Sequence, residues 1–314
     1  MRGFLFKNRA VIIMTILRKS TLWRKVKEKI IELFFLSNGL LAIIILIGFF
    51  SLLFILGYKA LERISLNGII LNSVWNPTSP ERESYGILAL VVSTLMVSLG
   101  ALVLAVPIGI ATAAYMADVA HHGTREIVKP IIEILAGIPS VVVGFLGIVL
   151  TGPFLARVFN ISNGLNALNG SVLLAVMALP TIISIAEDAI VAVPQEMKNA
   201  SLALGATKWQ TLVRVTLPSA ASGVIAAVML GMGRAIGETM TVLMACGNAA
   251  AMPTGFFSPV RTMTATIAIE LGETVQKSTH YYSLFVIAFV LFIMTFAFNL
   301  ISDLVLQKYQ RTSR

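Results

Sequence analysis

Two oppositely charged residues, Arg234 and Glu238, lie four positions apart within an apolar stretch of the sequence. On a continuous helix they would share one face, a turn apart, and could pair. Burying an arginine at the centre of a membrane costs about 2.5–3.5 kcal/mol on insertion scales, so such a residue faces a bundle interior or a water-filled path. A guanidinium also matches the oxygens of phosphate bidentately. The pair therefore predicts an anion site, with a structural ion pair between two helices as the alternative.

The carboxylate of Glu238 would have two uses beside such a cation. It lowers the electrostatic cost of an empty cationic site, and it can accept a hydrogen bond from a protonated phosphate oxygen. Sulfate lacks that proton at neutral pH, so Glu238 would reject it by repulsion. Gly233 and Gly237 form a G-x-x-x-G pattern that permits close helix packing. We predict a substrate pathway at Arg234, Glu238 and Thr239.

A second pattern lies in the connection at 187–220, which carries a helix-like apolar face. Small residues cluster along it, and they let another surface approach the backbone closely. Gly205 is expected to end a short helix, and Pro218 precedes the next apolar stretch. Such a short amphipathic helix either lies on a membrane or docks on a partner protein, and the residues alone leave both open. The apolar face consists of Leu202, Ala203, Ala206, Trp209 and Val213.

The elements that position these residues follow from composition. Of 314 residues, 57% are hydrophobic and only 12% charged, whereas a soluble domain carries about 25% charged residues. A membrane span needs about 20 apolar residues. We therefore predict an all-α polytopic membrane helix bundle of about six spans, the third and fourth interrupted at 137–139 and at Pro180. The predicted spans are 37–57, 86–117, 131–151, 171–190, 222–247 and 283–304.

The distribution of Lys and Arg predicts the orientation. With the N-terminus in the cytoplasm, the inner connections hold 17 basic residues and the outer loops hold six, while Arg234 lies inside a span. This bias predicts cytoplasmic termini in the cytoplasmic (inner) membrane. Residues 1–36 hold nine of the basic residues and are predicted to be a basic amphipathic segment before the membrane domain at 37–314. Translation from Met14 is an alternative.

Several kinds of chemistry lack their motifs. The sequence has no G-x-x-x-x-G-K-[ST] loop for nucleotide phosphates and no H-E-x-x-H or G-x-S-x-G run. Its one cysteine, Cys246, excludes an internal disulfide. We therefore expect no enzyme activity, metal, cofactor or nucleic-acid partner in this chain. Glu133, Glu187 and Asp188 are expected at the membrane interface or against a partner. The three histidines, His121, His122 and His280, are expected to be solvated.

The connection at 187–220 resembles the permease subunits of ABC importers, which carry the pattern E-A-A, three residues, G, nine residues, I-x-L-P. Asn199, Ala200, Ser201 and Gly205 match its first part in spacing, and the run 215–218 matches its last part. Asn199 replaces the glutamate, so a salt bridge from that side chain is not expected. The resemblance implies a coupling helix near 196–213 that docks on an ATPase. The implied coupling residues are Asn199, Ala200, Ser201, Ala203, Gly205, Ala206, Trp209, Leu217 and Pro218.

The run at 231–240 resembles the signature of phosphate-specific permeases of the PstC family, as do the runs 139–144 and 179–182. Together the similar segments cover about 86–304. The resemblance implies a type I ABC importer permease (MetI-like) fold and roles for Arg234 and Glu238 in phosphate transport by alternating access. It also implies a PstA-like permease, two PstB-like ATPases that bind ATP, and a PstS-like phosphate-binding protein. A permease for another oxyanion such as sulfate or molybdate, and an ATP-independent anion carrier, remain alternatives.

Overall fold

A computed structural model describes the backbone of residues 2–80 and 82–312, with side chains for Trp23, for 27–304 apart from Glu81, and for Gln307. The described chain is mostly helical, with one small antiparallel hairpin. The helices are α1 (Arg2–Leu61), α2 (Leu66–Ile70), α3 (Leu88–Ala114), α4 (His122–Gly137), α5 (Ser140–Leu146), α6 (Gly152–Phe159), α7 (Ala167–Val191), α8 (Gln195–Ala203), α9 (Lys208–Thr211), α10 (Leu217–Ser219), α11 (Ala221–Gly237), α12 (Met240–Ala245), α13 (Met263–Glu270) and α14 (Thr279–Thr312). The hairpin pairs β1 (Trp75–Asn76) with β2 (Ser84–Tyr85), and π-helical turns occupy Tyr115–Val119, Gly147–Thr151 and Leu212–Thr216.

The chain divides into two units, Met1–Ile55 and Leu56–Arg314. In the first unit the described backbone is helical, and the apolar side chains from 30 onward are largely exposed. The second unit contains all the other elements and the buried cores. Most side chains of the predicted basic segment at 1–36 lie outside the described residues. Its amphipathic character and its boundary at residue 36 therefore stay predictions.

The predicted membrane helix bundle is confirmed. Five described helices are long and apolar enough to cross a membrane, and a pair of helices joined at a bend of 71° would be a sixth if the two form one span. Each of these segments has the length that the hydrocarbon core of a bilayer requires. The five are Lys27–Leu61, Leu88–Val119, Ser140–Phe159, Ala167–Val191 and Thr279–Leu304, and the bent pair is Lys208–Ser219 with Ala221–Gly237.

The third predicted span, at 131–151, is wrong in its bounds. The helix ends at Gly137, Ile138 has an extended backbone, and a new helix begins at Ser140. A residue before proline disfavours the helical conformation, so Ile138 and Pro139 separate two helices rather than kink one. The segment that is apolar enough to span is Ser140–Phe159, and α4 precedes it as a separate helix.

The predicted interruption at 137–139 is thus confirmed as a break between helices, whereas the one at Pro180 is wrong. Pro180 is buried within α7, and the helix continues from Ala167 to Val191. A spanning helix tolerates proline where its neighbours satisfy the freed backbone groups. The fifth predicted span, 222–247, was expected to be one helix but is broken. Helix α11 ends at Gly237, and α12 begins at Met240.

Small residues bring α3, α7 and α11 into close contact. A Cβ atom added to Gly109 of α3 would lie 2.7 Å from Cγ2 of Ile182 on α7, and one added to Gly231 of α11 would lie 2.6 Å from Cγ1 of the same isoleucine. Only glycine fits at either position without a shift of Ile182. Ile182 therefore lies at the meeting point of the three helices, directly beside Thr181.

Candidate functional site

Arg234 lies in the last turn of α11 and is half-buried. Its Nη1 donates a hydrogen bond to Oγ1 of Thr181 on α7, at 3.3 Å. The predicted pairing with Glu238 on one helical face is wrong, because the helix ends at Gly237 and the Glu238 backbone is extended. Among the described side chains, no carboxylate lies within ion-pair distance of this guanidinium. Arg234 therefore retains a positive charge with only a neutral hydroxyl partner.

Glu238 and Thr239 form the break between α11 and α12. The backbone carbonyl of Glu238 accepts a hydrogen bond from the Thr264 hydroxyl at 2.9 Å, and its carboxylate accepts one from the Thr241 amide at 3.4 Å. The Thr239 hydroxyl bonds the Gly237 carbonyl at 3.4 Å. Non-helical backbone at membrane depth is tolerated only where it is buried in protein or lines a water-filled cavity. The break therefore marks a part of α11 that does not face lipid.

One face of α11 is uncovered in the described chain. Leu230, Gly233 and Gly237 are exposed along it, and a Cβ atom added to either glycine would meet nothing within 4 Å. The G-x-x-x-G pattern is therefore not used for packing within the part of the chain that the structure describes. Arg234 borders this face, so a subunit that covers it would lie beside the guanidinium.

The predicted helix end at Gly205 is confirmed. Helix α8 ends at Ala203, and Gly205 has a φ of 86°. The Gly205 amide bonds the Leu202 carbonyl at 3.0 Å, and the Ala206 amide bonds the Ser201 carbonyl at 3.2 Å. These two bonds define a Schellman turn, which favours glycine at the left-handed position. The turn joins α8 to α9 at a fixed angle.

Helix α9 begins with its own cap. Thr207 and Gln210 form a capping box: the Thr207 hydroxyl accepts from the Gln210 amide at 3.2 Å, and the Gln210 side chain accepts from the Thr207 amide at 2.9 Å. These bonds satisfy backbone groups at the helix start. The segment 195–211 is therefore a preorganised helix–turn–helix.

The Schellman turn gives a direct stability prediction. Gly205→Ala should lower the free energy of unfolding by about 1–2 kcal/mol, because a Cβ atom strains the left-handed conformation. Gly123→Ala is the matched control: Gly123 lies in α4 with open space around it and no positive φ, so alanine should be neutral or slightly stabilising. Thermal unfolding of the detergent-solubilised chain measures both. Equal midpoints for the two variants would contradict the prediction.

The side chains of this helix–turn–helix present an apolar surface. Leu204 is 91% exposed and Trp209 is 70% exposed. Trp209 and Leu202 line a cavity of about 500 Å³, together with Asp118 and Lys198. Exposed apolar groups of this size at a concave surface indicate a docking site. Of the implied coupling residues, Ser201, Ala206 and Leu217 are half-buried, and the exposed ones are Asn199, Ala200, Ala203, Gly205, Trp209 and Pro218.

Three ion pairs of α7 and α8 were not predicted from the sequence. Nζ of Lys198 in α8 lies 2.6 Å from Oδ1 of Asp118, in the π-helical turn after α3. Glu187 of α7 is buried, with Oε1 2.6 Å from Nη2 of Arg125 and Oε2 3.9 Å from Nζ of Lys129. Because Glu187 is buried within the chain, it does not offer a surface for a partner, and its depth in the membrane stays a prediction. It joins α7 to α4.

A third polar cluster is centred on Glu270. Its carboxylate contacts Nη1 of Arg261 and Nε2 of His280, both at 2.8 Å, and accepts from the Trp75 indole at 3.0 Å. The expectation that His280 is solvated is wrong, because this network largely buries it. Within the described side chains no three His, Cys, Asp or Glu residues gather as a metal site would require. The cluster fixes the hairpin, α13 and the start of α14 to one another.

The hairpin next to this cluster holds Tyr85 in a protonated state. Burial of the ring, the hydrogen bond to Glu83 and the charge of that carboxylate raise the pKa of Tyr85 well above its usual range. The Tyr85 hydroxyl donates to Oε2 of Glu83 at 2.5 Å. This hydroxyl therefore remains a donor throughout the neutral pH range.

Comparison with known proteins identifies relatives over most of the chain. Residues 105–312 match the family described as "Binding-protein-dependent transport system inner membrane component". The chain is 37% identical to the probable ABC transporter permease protein YqgH of Bacillus subtilis, over 83% of this chain and 85% of that protein. It is 33% identical to the phosphate transport system permease protein PstC of Mesorhizobium japonicum, over 83% of this chain and 84% of that protein.

Solved structures support the predicted fold. The inward-facing MetNI methionine ABC transporter matches with a TM-score of 0.57 at 20% identity, over 71% of this chain and 97% of the matched chain. At this identity the match shows the fold alone. The MetI-like permease fold implied by the sequence patterns is therefore confirmed.

Proposed function

The chain belongs to the family of binding-protein-dependent transport system inner membrane components, the permease subunits of ABC importers, and from this premise we propose that it passes inorganic phosphate across the cytoplasmic membrane. The observation that carries the phosphate assignment is Arg234, a half-buried cation bonded to the Thr181 hydroxyl at a break in a spanning helix. Such a cation is stabilised when an anion binds. The relatives named PstC support the choice of phosphate.

The break at Glu238 supplies the selectivity in this proposal. Its carboxylate is half-buried, and Glu238 follows Arg234 by four residues, just after the end of α11. A carboxylate accepts a hydrogen bond from a protonated phosphate oxygen and repels a fully ionised sulfate. The hydroxyl of Thr239, next to Glu238, is the third group that we assign to the substrate pathway.

The energy for transport would come from partner subunits. We assign the segment 195–211 to ATPase docking, because its exposed apolar residues lie on a preorganised turn. The assembly would hold a PstA-like permease on the open face of α11, two PstB-like ATPases that bind ATP, and a PstS-like phosphate-binding protein outside. We assign both termini to the cytoplasm, the side on which the ATPases would dock, in agreement with the charge bias.

Uptake by the assembled complex in proteoliposomes tests this function. Radiolabelled phosphate should enter only when ATP is supplied, and excess sulfate should not compete. Glu238→Gln should increase the inhibition by sulfate by about tenfold, because the repulsion that separates the two anions is removed; such a change corresponds to 1.4 kcal/mol. Phosphate uptake without ATP would instead indicate a passive carrier. Equal competition by sulfate in the wild-type complex would indicate a general oxyanion permease.

A further inference from the structure

We propose that Asp118 and Lys198 are positioning residues that couple α8 to α3, so that an ATPase acting on α8 moves the inner end of α3. The inference rests on the proposed function, because it takes α8 as the segment that the ATPase displaces. The pair brings together residues that are 80 positions apart in the sequence. It joins the middle of α8 to the π-helical turn Tyr115–Val119 that extends α3.

The geometry of the pair suits a rigid connection. Lys198 Nζ and Asp118 Oδ1 are 2.6 Å apart, and the two side chains are 10% and 19% exposed. Asp118 as a whole residue is exposed, so its exposure lies mainly on the backbone and the pair is partly buried. Charges removed from water attract each other more strongly than charges on an open surface. A buried ion pair adds little net stability over an apolar contact of similar volume, but it fixes the two groups at one separation and orientation. A rigid connection between α8 and α3 requires such a fixed separation and orientation.

The other polar contact of α8 is local. Among the described side chains, its other polar contact with a neighbouring segment joins the hydroxyls of Ser201 and Thr211, at 3.0 Å. That contact holds α8 to α9, which belongs to the same docking segment. The connection to α7 runs through the short link 192–194. Lys198 is therefore the charged side chain that carries a displacement of α8 directly to α3.

From α3 the displacement can reach Arg234. The close approach of Gly109 to Ile182 locks α3 against α7. Ile182 is adjacent to Thr181, whose hydroxyl accepts the hydrogen bond from Arg234. Tightly packed interiors transmit small shifts because they have little free volume. A movement of α8 would thus change the position of Thr181 relative to the guanidinium.

The test compares phosphate transported per ATP hydrolysed in reconstituted complexes. In assembled complexes that retain the ATPase subunits, Asp118→Asn and Lys198→Met should each lower this ratio by about tenfold, within the range typical of coupling between sites. Lys198→Arg should restore most of the ratio, because it retains the charge. The charge-exchanged variant, Asp118→Lys with Lys198→Asp, should exceed both single variants.

Glu187→Gln is the matched control. It removes a buried carboxylate from an ion pair of the same 2.6 Å length, between α4 and α7 instead of α8 and α3. We expect it to leave the ratio of phosphate to ATP unchanged even if the overall rate falls. If Glu187→Gln lowers the phosphate transported per ATP hydrolysed as much as Lys198→Met does, the specific role of the Asp118–Lys198 pair is overturned.

An apolar variant keeps the test decisive if the single variants do not assemble. Asp118→Leu combined with Lys198→Met retains the volume and removes both charges. An assembled complex with a lowered ratio supports the proposal, and one with the wild-type ratio overturns it. The wild-type complex shows whether the proposed function itself is correct. If it transports another oxyanion instead of phosphate, we measure the number of those anions transported per ATP hydrolysed. The comparison between the variants and the wild type then remains valid.

Discussion

Replacing Arg234 by alanine is expected to lower phosphate uptake by the assembled complex at least about 30-fold, because truncating one partner of a buried charge pair costs about 2–5 kcal/mol. The guanidinium has no carboxylate partner among the described side chains, so the passing anion is the charge that it would neutralise. The ATPase subunits should stay bound, since Arg234 lies on α11 and not in the docking segment. Uptake and ATP hydrolysis measured on the same proteoliposomes check the result.

Three further variants sharpen the Arg234 experiment. Arg234→Lys retains the charge but loses the planar fork, so its uptake should fall between those of alanine and wild type. Thr181→Val removes the neutral partner and should have a small effect, since one such hydrogen bond contributes about 1 kcal/mol. Arg157→Ala is the matched control, because Arg157 is exposed at the end of α6. Wild-type uptake by Arg234→Ala would make the arginine a structural residue only.

The charged groups of the described chain fall into two kinds. The carboxylates of Asp118, Glu187 and Glu270, of which only that of Glu187 is fully buried, each lie within 2.6–2.8 Å of a cationic side chain. These pairs join helices, and a bound anion could reach their cations only by displacing a carboxylate. Arg234 differs because its partner is a hydroxyl. A transient anion would bind where no protein carboxylate competes, and this difference separates the transport candidate from the structural pairs.

Local signals in the sequence predicted the parts of the site that depend on nearby residues. The apolar stretch around Arg234 predicted a spanning helix, and Gly205 predicted a helix end, because a left-handed turn needs a residue without a Cβ atom. The departure of Glu238 from the helix was not predictable in this way. Thr264, 26 positions away, holds the Glu238 carbonyl, and a periodic pattern within 222–247 contains no such information.

Contacts between distant segments explain the remaining errors. In the sequence, Lys198 is one charged residue of a polar loop, and nothing nearby indicates a partner. Only folding brings Oδ1 of Asp118 to 2.6 Å from its Nζ. A proline such as Pro180 predicts a helix break from the sequence alone. In the structure Pro180 is buried within α7, which packs closely against α3 and α11, and α7 remains continuous. The sequence thus predicted the fold class and the turn at Gly205, while the pairing of charges depended on tertiary structure.

Leu204→Asp and Trp209→Asp are each expected to weaken binding of the ATPase subunits at least about 30-fold, since losing a central apolar anchor costs about 2 kcal/mol or more. These two side chains are the most exposed apolar groups of the docking segment, at 91% and 70%. Docking would bury them, and an aspartate there would bring an unpaired charge into the interface. Co-purification of the ATPase from membranes, followed by ATP hydrolysis of the purified complex, measures the effect.

Val275→Asp is the matched control, because Val275 is 77% exposed and lies in the predicted outside loop at 248–282. The same chemical change there should leave ATPase binding intact, since the ATPases dock on the other side of the membrane. Loss of the ATPase in Val275→Asp but not in Leu204→Asp would reverse the proposed orientation. Retention in all three variants would favour the other interpretation of an amphipathic helix, in which 195–211 lies on the bilayer surface. The comparison therefore tests the docking surface and the membrane orientation with one measurement.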